Sequence, residues 1–380
     1  MAPPTELQGS SFLRRISIRR NQIVSMDVSH DQHLEELEYF QKHVSDCLSE
    51  LLSSPPPPPP SSSSSSAAVS QPSDPILSIP WMKNLLDVYM SCETEFKGVL
   101  STVQISKSPS LEKGLQETLD RILKSLDICN AVSNGIDSVS QSRRLAEIAV
   151  TALKQRPLCN GSVLRAKRAL TSLLAGLNAD GKDRNGESSS RRTTSRSWSF
   201  GQRSSVHVSK NWSATKQIQA MAGTLVPPRG AEASGVYIMS SVMVLVMWVL
   251  VAAVPCQTSN VLAAPLQLPK HQSWASAALN IQERVGEEMK GKEKRFGGGM
   301  MEEMVRMERV GLSLLEFTER FKFPAEEEEE VAEKVEEMDE ICRGMEVGLE
   351  GLKRQVREVF HRLVRSRLEI VSVLDQATAI

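Results

Sequence analysis

The chain has 380 residues, which is enough for two ordinary domains or for one large domain with tails. Aromatic residues make up only 4%, which disfavours a large β-sandwich or β-barrel, and six cysteines are too few for a disulfide-stapled secreted scaffold. The formal net charge is −1, but residues 1–230 hold 27 basic against 21 acidic residues, whereas residues 231–380 hold 18 against 25. The composition therefore indicates a helical protein with a basic first part and an acidic second part.

Residues 1–30 are predicted to be a mobile basic arm, in which four arginines surround Ser17. The arm is rich in arginine and poor in acidic residues, so a transit peptide or a membrane-surface arm is also compatible with it. Ser17 follows an Arg-Arg pair closely and is a candidate phosphorylation site, at which a phosphate would cancel part of the local positive charge.

Helical periodicity begins after this arm. Apolar residues recur at three- and four-residue steps in residues 31–52, which predicts a first helix. Six consecutive prolines and six serines then predict a Pro/Ser-rich linker over residues 53–77. Further apolar stripes over residues 78–178 predict the first part of a helical bundle with short loops. Asn134 and Gly135 are predicted to break or bend the chain within this part.

Residues 179–234 lose the periodicity and are predicted to form a basic, Ser/Arg-rich loop. Between Lys182 and Lys216 the loop holds eight basic residues against two acidic ones, with two tryptophans among them. Such a mixture can bind nucleic acid, but no RRM, zinc-finger or homeodomain pattern accompanies it. A docking loop or a regulated linker is therefore favoured, and no nucleic-acid partner is predicted. Ser197 and Ser199 are candidate phosphorylation sites.

Residues 235–254 form an uncharged run of twenty residues. At about 1.5 Å per residue, a helix of this length spans a hydrocarbon core roughly 30 Å thick. The run is predicted to be an apolar helix that either crosses a membrane once or lies buried at the centre of the bundle, and its length favours the membrane span. Basic charge is heavier before the run, which favours a cytosolic N-terminal side, with a cytosolic protein as the alternative. The residues that mark the predicted membrane segment are Val236, Tyr237, Leu245, Trp248, Leu250 and Val254.

The last part of the chain is predicted to complete the bundle. Residues 255–300 are predicted to form a polar, Gly-containing linker around an exposed charged helix at 270–295. Residues 301–380 are predicted to form the C-terminal helices. The acidic run 326–330 opens one of these helices, and a separate last helix carries basic residues on its outer face. The two could pair with each other or offer a charged surface to a partner. The candidate partner surface consists of Arg354, Arg357, Arg362, Arg365 and Arg367.

Patterns typical of an active site are missing from the sequence. There is no P-loop, no GxGxxG after a strand, no GxSxG elbow and no HExxH. No cysteines form a CxxC pair, and Cys47, Cys92 and Cys129 lie on or beside apolar stripes, so they are interpreted as core residues. We therefore predict a non-enzymatic protein with no cofactor, no metal site and no evident small-molecule substrate.

Several segments have unusual sequences that recur in a known family. They are Ser11–Ser17, Ser209–Ala214, Lys216–Met221, Val226–Gly230, Tyr237–Met243, Val246–Trp248 and Leu352–Arg367. Together they resemble the ROH branch of the plant BYPASS-like family over nearly the whole chain. The resemblance implies no enzymatic activity. It implies a regulatory adaptor that binds exocyst subunits of the Exo-seventy type and acts in polarised secretion and mucilage deposition. Together with the amphipathic helices and residues 235–254, this predicts an adaptor at the cytosolic face of a membrane. The BYPASS branch implies instead a developmental regulator that restrains a root-derived mobile signal.

Overall fold

The protein is a bundle of long α-helices. The computed structural model describes residues 32–53, 74–102, 108–178, 212–256, 266–270, 272–292, 301–321 and 328–378. Within these ranges no residue lies in a β-strand, and the predicted mainly-α fold is confirmed. The helices are α1 (32–50), α2 (Ile79–Thr102), α3 (Pro109–Leu153), α4 (Asn160–Asn178), α5 (Ala214–Gly223), α6 (Ser234–Ala253), α7 (Ser273–Lys292), α8 (Glu302–Arg320) and α9 (Glu328–Thr378).

Some of the predicted features fall outside the described residues. These are the basic arm, most of the Pro/Ser-rich linker and the first part of the basic loop. The three candidate phosphorylation sites, Ser17, Ser197 and Ser199, lie there as well, so their assignment stays a prediction.

The helix α3 continues through Asn134 and Gly135, where a break or bend was predicted. The helix begins after Ser108, whose side chain accepts a hydrogen bond from an amide of the first turn, and Pro109 occupies that turn. Gly135 lies where α3 meets the chain that follows α6. A Cβ atom at this position would come within 2.5 Å of the carbonyl oxygen of Pro255. The glycine therefore permits a close approach of two backbones within a continuous helix.

The helix α9 also joins two predicted helices into one, of 51 residues and about 75 Å. Its acidic start and its basic end lie at different positions along a single helix, so the pairing of two separate helices, one of the two alternatives that the sequence left open, does not occur. An uninterrupted apolar face explains the continuity. The buried residues of this face are Val331, Val335, Met338, Ile341, Met345, Leu349, Leu352, Val356, Val359, Leu363 and Ile370.

The helix α6 is the central helix of the bundle. It packs against α2, α3, α5 and α7, and every residue from Gly235 to Ala253 is buried. By length and composition the helix could cross a membrane, but in the structure the other helices surround it. The six residues that marked the predicted membrane segment, from Val236 to Val254, are accordingly all buried. The structure thus describes the second of the two arrangements that the sequence allowed.

Two helices lie in segments predicted mainly as loop or linker. The helix α5 occupies the end of the basic loop and packs against α3 and α6. The helix α7 corresponds to the charged helix predicted at 270–295, but it is amphipathic rather than fully exposed. Its residues Trp274, Ile281 and Val285 are buried, and it packs against α6. Both helices therefore contribute to enclosing α6.

Candidate interaction surface

A row of basic residues lies on the outer face of α9. Arg354, Arg357, His361 and Arg365 are spaced by three, four and four residues, which places them on one side of the helix. We call these four residues the basic stripe. All four are exposed, and none of the three arginines forms an ion pair with another described residue. The stripe is about 17 Å long and offers its positive charge to solvent.

Exposed apolar residues continue the stripe at both ends. Leu368 follows Arg365 by three residues and is 62% exposed, and Val347 precedes Arg354 by seven residues and is 78% exposed. Val364, beside Arg365, is 37% exposed. A surface that combines apolar side chains with unpaired arginines is typical of a protein interface.

Arg362 does not belong to this surface, because it is bound within the bundle. Its Nη1 atom lies 3.0 Å from Oε2 of Glu93 and 3.3 Å from the carbonyl oxygen of Met90, both on α2. Glu93 is only 3% exposed, and its other oxygen accepts a hydrogen bond from Ser366 at 2.8 Å. Arg362 thus connects α9 to α2. Arg367 is exposed but lies on another side of the helix, so three of the five predicted arginines share the stripe.

Replacing Arg362 by alanine is expected to lower the free energy of unfolding by about 2 kcal/mol, because the buried carboxylate of Glu93 loses its main partner. Lys97, 3.4 Å from Glu93, remains as a weaker one. The measurement is urea unfolding followed by circular dichroism. The matched control is Arg365→Ala, for which we expect a change within about 0.5 kcal/mol. Equal losses in the two variants would contradict the structural role of Arg362.

The acidic part of α9 is paired within the bundle. Lys154, at the end of α3, lies 2.9 Å from Glu336 and 2.8 Å from Asp339. The hydrogen bond from Lys154 lowers the pKa of Asp339, and the same contact raises the pKa of Lys154. Arg309 of α8 lies 3.4 Å from Glu337. These contacts occupy three carboxylates of this part of α9, those of Glu336, Glu337 and Asp339.

Cys47 belongs to a cluster that sequence patterns did not reveal. Its Sγ atom lies 3.5 Å from Nε2 of His43, and the same nitrogen lies 3.0 Å from the hydroxyl of Ser91. A hydrogen bond with Cys92, together with His43 and Ser91, lowers the pKa of Cys47 to about 6. These residues come from α1 and α2, on either side of the Pro/Ser-rich linker. No local sequence pattern could have indicated that these residues of α1 and α2 are in contact.

Alkylation by iodoacetamide is expected to be half-maximal for Cys47 near pH 6, because the thiolate is the reactive form and the pKa is lowered to that value. Burial raises the pKa of Cys129 and of Cys342 to about 12, so both should stay unmodified in the folded protein. Peptide mass spectrometry after short exposures over a range of pH values gives each profile. His43→Gln should move the Cys47 profile to higher pH. A wild-type midpoint near 8.5, the usual value for a thiol, would disprove the interpretation.

The described residues contain no group of three or more His, Cys, Asp or Glu side chains placed to hold a metal ion. What the structure presents is a helical bundle with an exposed basic face. The chain belongs to the ROH1-like family, since the family model described as "Protein ROH1-like" matches residues 2–374. The resemblance to the ROH branch is thereby confirmed, and this family is not a known enzyme family.

Two relatives from Arabidopsis thaliana are similar over nearly their whole lengths. Protein ROH1A is 50% identical, with 99% of this chain and 98% of the relative aligned. Protein ROH1D is 30% identical, with 97% of each chain aligned. No solved structure shows a significant match.

Proposed function

We propose that this protein is a non-enzymatic adaptor that binds an exocyst subunit of the Exo-seventy type and so acts in polarised secretion and mucilage deposition. The observation that carries the proposal is the basic stripe of α9, whose arginines are exposed and make no ion pair among the described residues. Membership of the ROH1-like family supports it, because the ROH branch implied an exocyst partner.

The chemistry of the stripe defines the partner surface. Arg354, Arg357 and Arg365 would pair with carboxylates on the partner, and Leu368 would pack into a shallow apolar pocket. Charges at the rim of an interface mainly raise the association rate and become weaker at high salt. The complex is therefore expected to form faster at low ionic strength.

A pull-down with the purified Exo-seventy-type subunit tests the proposal. The first variant is Arg354→Glu/Arg357→Glu/Arg365→Glu, which reverses the stripe and should reduce binding by about tenfold or more. Arg144→Glu/Arg165→Glu/Arg168→Glu is the matched control, because these exposed arginines lie on α3 and α4 and the charge change is the same. The control should bind within about twofold of wild type.

Each outcome of this experiment has a defined meaning. Failure of the wild-type protein to enrich the subunit over an unrelated helical bait would overturn the adaptor proposal. Wild-type binding that is equally reduced in both triple variants would overturn the assignment to the stripe, since net charge alone would then account for the effect.

We further propose that the protein acts at the cytosolic face of a membrane and is held there by its partner. The burial of α6 supports peripheral attachment, because a helix enclosed by α2, α3, α5 and α7 presents no apolar face to lipid. Carbonate treatment of membranes should therefore release the protein into the soluble fraction. Retention in the membrane pellet would favour the single span with a cytosolic N-terminal side.

A further inference from the structure

Two cysteine side chains meet between α1 and α2. Cys47 lies near the end of α1 and is partly exposed, whereas Cys92 lies within α2 and is fully buried. Their thiol groups share a hydrogen bond. All six cysteines of the chain fall within the described ranges, and each of them is a free thiol. The contact therefore joins a partly exposed thiol to an enclosed one across the Pro/Ser-rich linker.

A base and a hydroxyl group lie beside Cys47. The Nε2 atom of His43 is 3.5 Å from the Sγ atom of Cys47 and 3.0 Å from the hydroxyl oxygen of Ser91. His43 precedes Cys47 by one helical turn, and Ser91 directly precedes Cys92 in α2. A thiol becomes nucleophilic when a neighbouring base takes its proton. His43 is in position to be this base, and Ser91 fixes the orientation of its imidazole ring.

The two thiols differ in their readiness to lose a proton. The hydrogen bond from Cys92 is the largest cause that lowers the pKa of Cys47 to about 6. His43 and Ser91 act in the same direction, whereas burial and Glu50 oppose it. Donating this hydrogen bond raises the pKa of Cys92, and burial raises it further. At neutral pH one thiol of the pair is thus mainly a thiolate, and the other keeps its proton.

Three other cysteines lack this combination. Burial is the main cause that raises the pKa of Cys129 and of Cys342, so neither is a nucleophile at neutral pH. Cys159 is exposed, but Ser162, whose hydroxyl lies 3.7 Å from its Sγ atom, is the main cause that lowers its pKa, and not a second thiol. A thiolate that has been oxidised to a sulfenic acid condenses readily with a neighbouring thiol. At Cys47 such a thiol is already in contact.

From this arrangement we propose that Cys47 reacts with a small hydroperoxide, such as hydrogen peroxide, and then forms a disulfide with Cys92. In the first step the Cys47 thiol gives its proton to Nε2 of His43, and the thiolate attacks one oxygen atom of hydrogen peroxide. The S–O bond forms while the O–O bond breaks, so Cys47 becomes a sulfenic acid. The departing hydroxide takes the proton from His43 and leaves as water.

Cys92 completes the reaction. Its sulfur attacks the sulfur of the sulfenic acid, the S–S bond forms, and the hydroxide that leaves takes the Cys92 proton and becomes water. The two thiols are together oxidised by two electrons, and the peroxide is reduced by two. The Cys47 thiolate is the main cause of the raised pKa of Cys92, and this thiolate no longer exists once Cys47 is a sulfenic acid. The first step therefore makes the second one easier.

The disulfide would attach α1 covalently to the bundle. In the reduced protein α1 is held against α2 by non-covalent contacts on both sides of the thiol pair. The ring centroids of Phe40 and Phe96 are 5.9 Å apart, and the indole nitrogen of Trp81 donates a hydrogen bond to the carbonyl oxygen of Leu51 at 3.3 Å. Disulfides of cytosolic proteins are usually transient and redox-sensing. The thiol pair is thus a modification site whose state depends on the supply of peroxide.

Peptide mass spectrometry of the full chain tests the proposal. The reduced protein is treated near neutral pH with a small excess of hydrogen peroxide, alkylated, and digested with trypsin without reduction. Lys83 separates the two cysteines into the tryptic peptides 43–83 and 84–97, so their disulfide appears as a linked peptide pair. We expect this pair in the wild-type protein and its loss after treatment with dithiothreitol. Cys159→Ser, which removes an exposed thiol elsewhere, is the matched control and should give the same yield.

Further variants separate the roles of the residues. In Cys92→Ser, which keeps a hydrogen-bond donor beside Cys47, we expect the reaction to stop at the sulfenic acid of Cys47, which dimedone traps. In Cys47→Ser we expect Cys92 to stay unlabelled by dimedone, because it is buried and protonated. His43→Gln should slow the formation of the linked peptide pair about tenfold, because the base beside the thiol is lost.

Three results would overturn the proposal. The first is a wild-type protein that gives no linked peptide pair. The second is dimedone labelling of Cys92 in Cys47→Ser that is as strong as the labelling of Cys47 in Cys92→Ser, since the two thiols would then have no separate roles. The third is linkage that is equally fast in guanidinium chloride, where the contact between α1 and α2 is lost.

Discussion

Replacing Val246 by aspartate is expected to destabilise the protein by about 4 kcal/mol or more, which is enough to unfold many domains. Val246 is fully buried near the middle of α6, a helix without charged residues. The new carboxylate would be transferred from water into an apolar environment without a partner. Urea unfolding followed by circular dichroism measures the loss, or shows directly that the variant does not fold.

Val347→Asp is the matched control for this substitution. Val347 lies within α9 and is 78% exposed, so the same chemical change occurs on a helix in contact with water. We expect a change within about 0.5 kcal/mol. If α6 stood outside the bundle, Val246→Asp would leave the stability of the remaining helices unchanged, and this result would contradict the described packing.

Replacing Gly135 by alanine is expected to destabilise the protein by about 1–3 kcal/mol, although alanine is the better helix former by about 1 kcal/mol. The added methyl group would come within 2.5 Å of the carbonyl oxygen of Pro255 and 2.6 Å of Cγ1 of Val254. The carbonyl group is part of the backbone and cannot rotate away like a side chain. The separation of α3 from the end of α6 must therefore increase. Differential scanning calorimetry measures the effect.

Gly344→Ala should have the opposite sign. Gly344 lies within α9, and a Cβ atom built there has no neighbour within 4 Å. Only helix propensity then acts, and we expect a gain of about 0.5–1 kcal/mol. If both alanine variants gained stability, the close contact at Gly135 would be refuted.

The helices were predictable from the sequence because their apolar residues recur at helical spacing over long stretches. This pattern also placed the apolar helix almost correctly, at residues 235–254 against Ser234–Ala253. The periodic pattern predicted the structure wrongly where local residues resemble a break or a loop. Asn134-Gly135 resembles a break, but a buried apolar face continues on both sides of it and keeps α3 helical. In the basic loop, α5 is only ten residues long, and its packing against α3 and α6 decides its structure.

The candidate sites were less predictable, because they depend on contacts between distant residues. The sequence assigned the arginines of α9 to an outer face, but it could not distinguish Arg362, which is bound within the bundle, from Arg365. That difference depends on Glu93, which lies 269 residues earlier in the chain. Arg121 likewise contacts Thr224 across 103 residues. Periodicity describes which side of a helix faces the core, but not which charged group on another helix it meets.

The continuous helix α9 gives the molecule a permanent electric polarity that its near-zero net charge conceals. Residues 328–346 hold nine acidic against two basic residues, and residues 347–378 hold six basic against four acidic ones. Because these segments share one helix axis, their charge separation opposes the dipole of the helix backbone, which is positive at the N-terminal end and negative at the C-terminal end. The electric field of an approaching acidic surface would exert a torque on the protein. This torque would turn the C-terminal end of α9 towards that surface before contact.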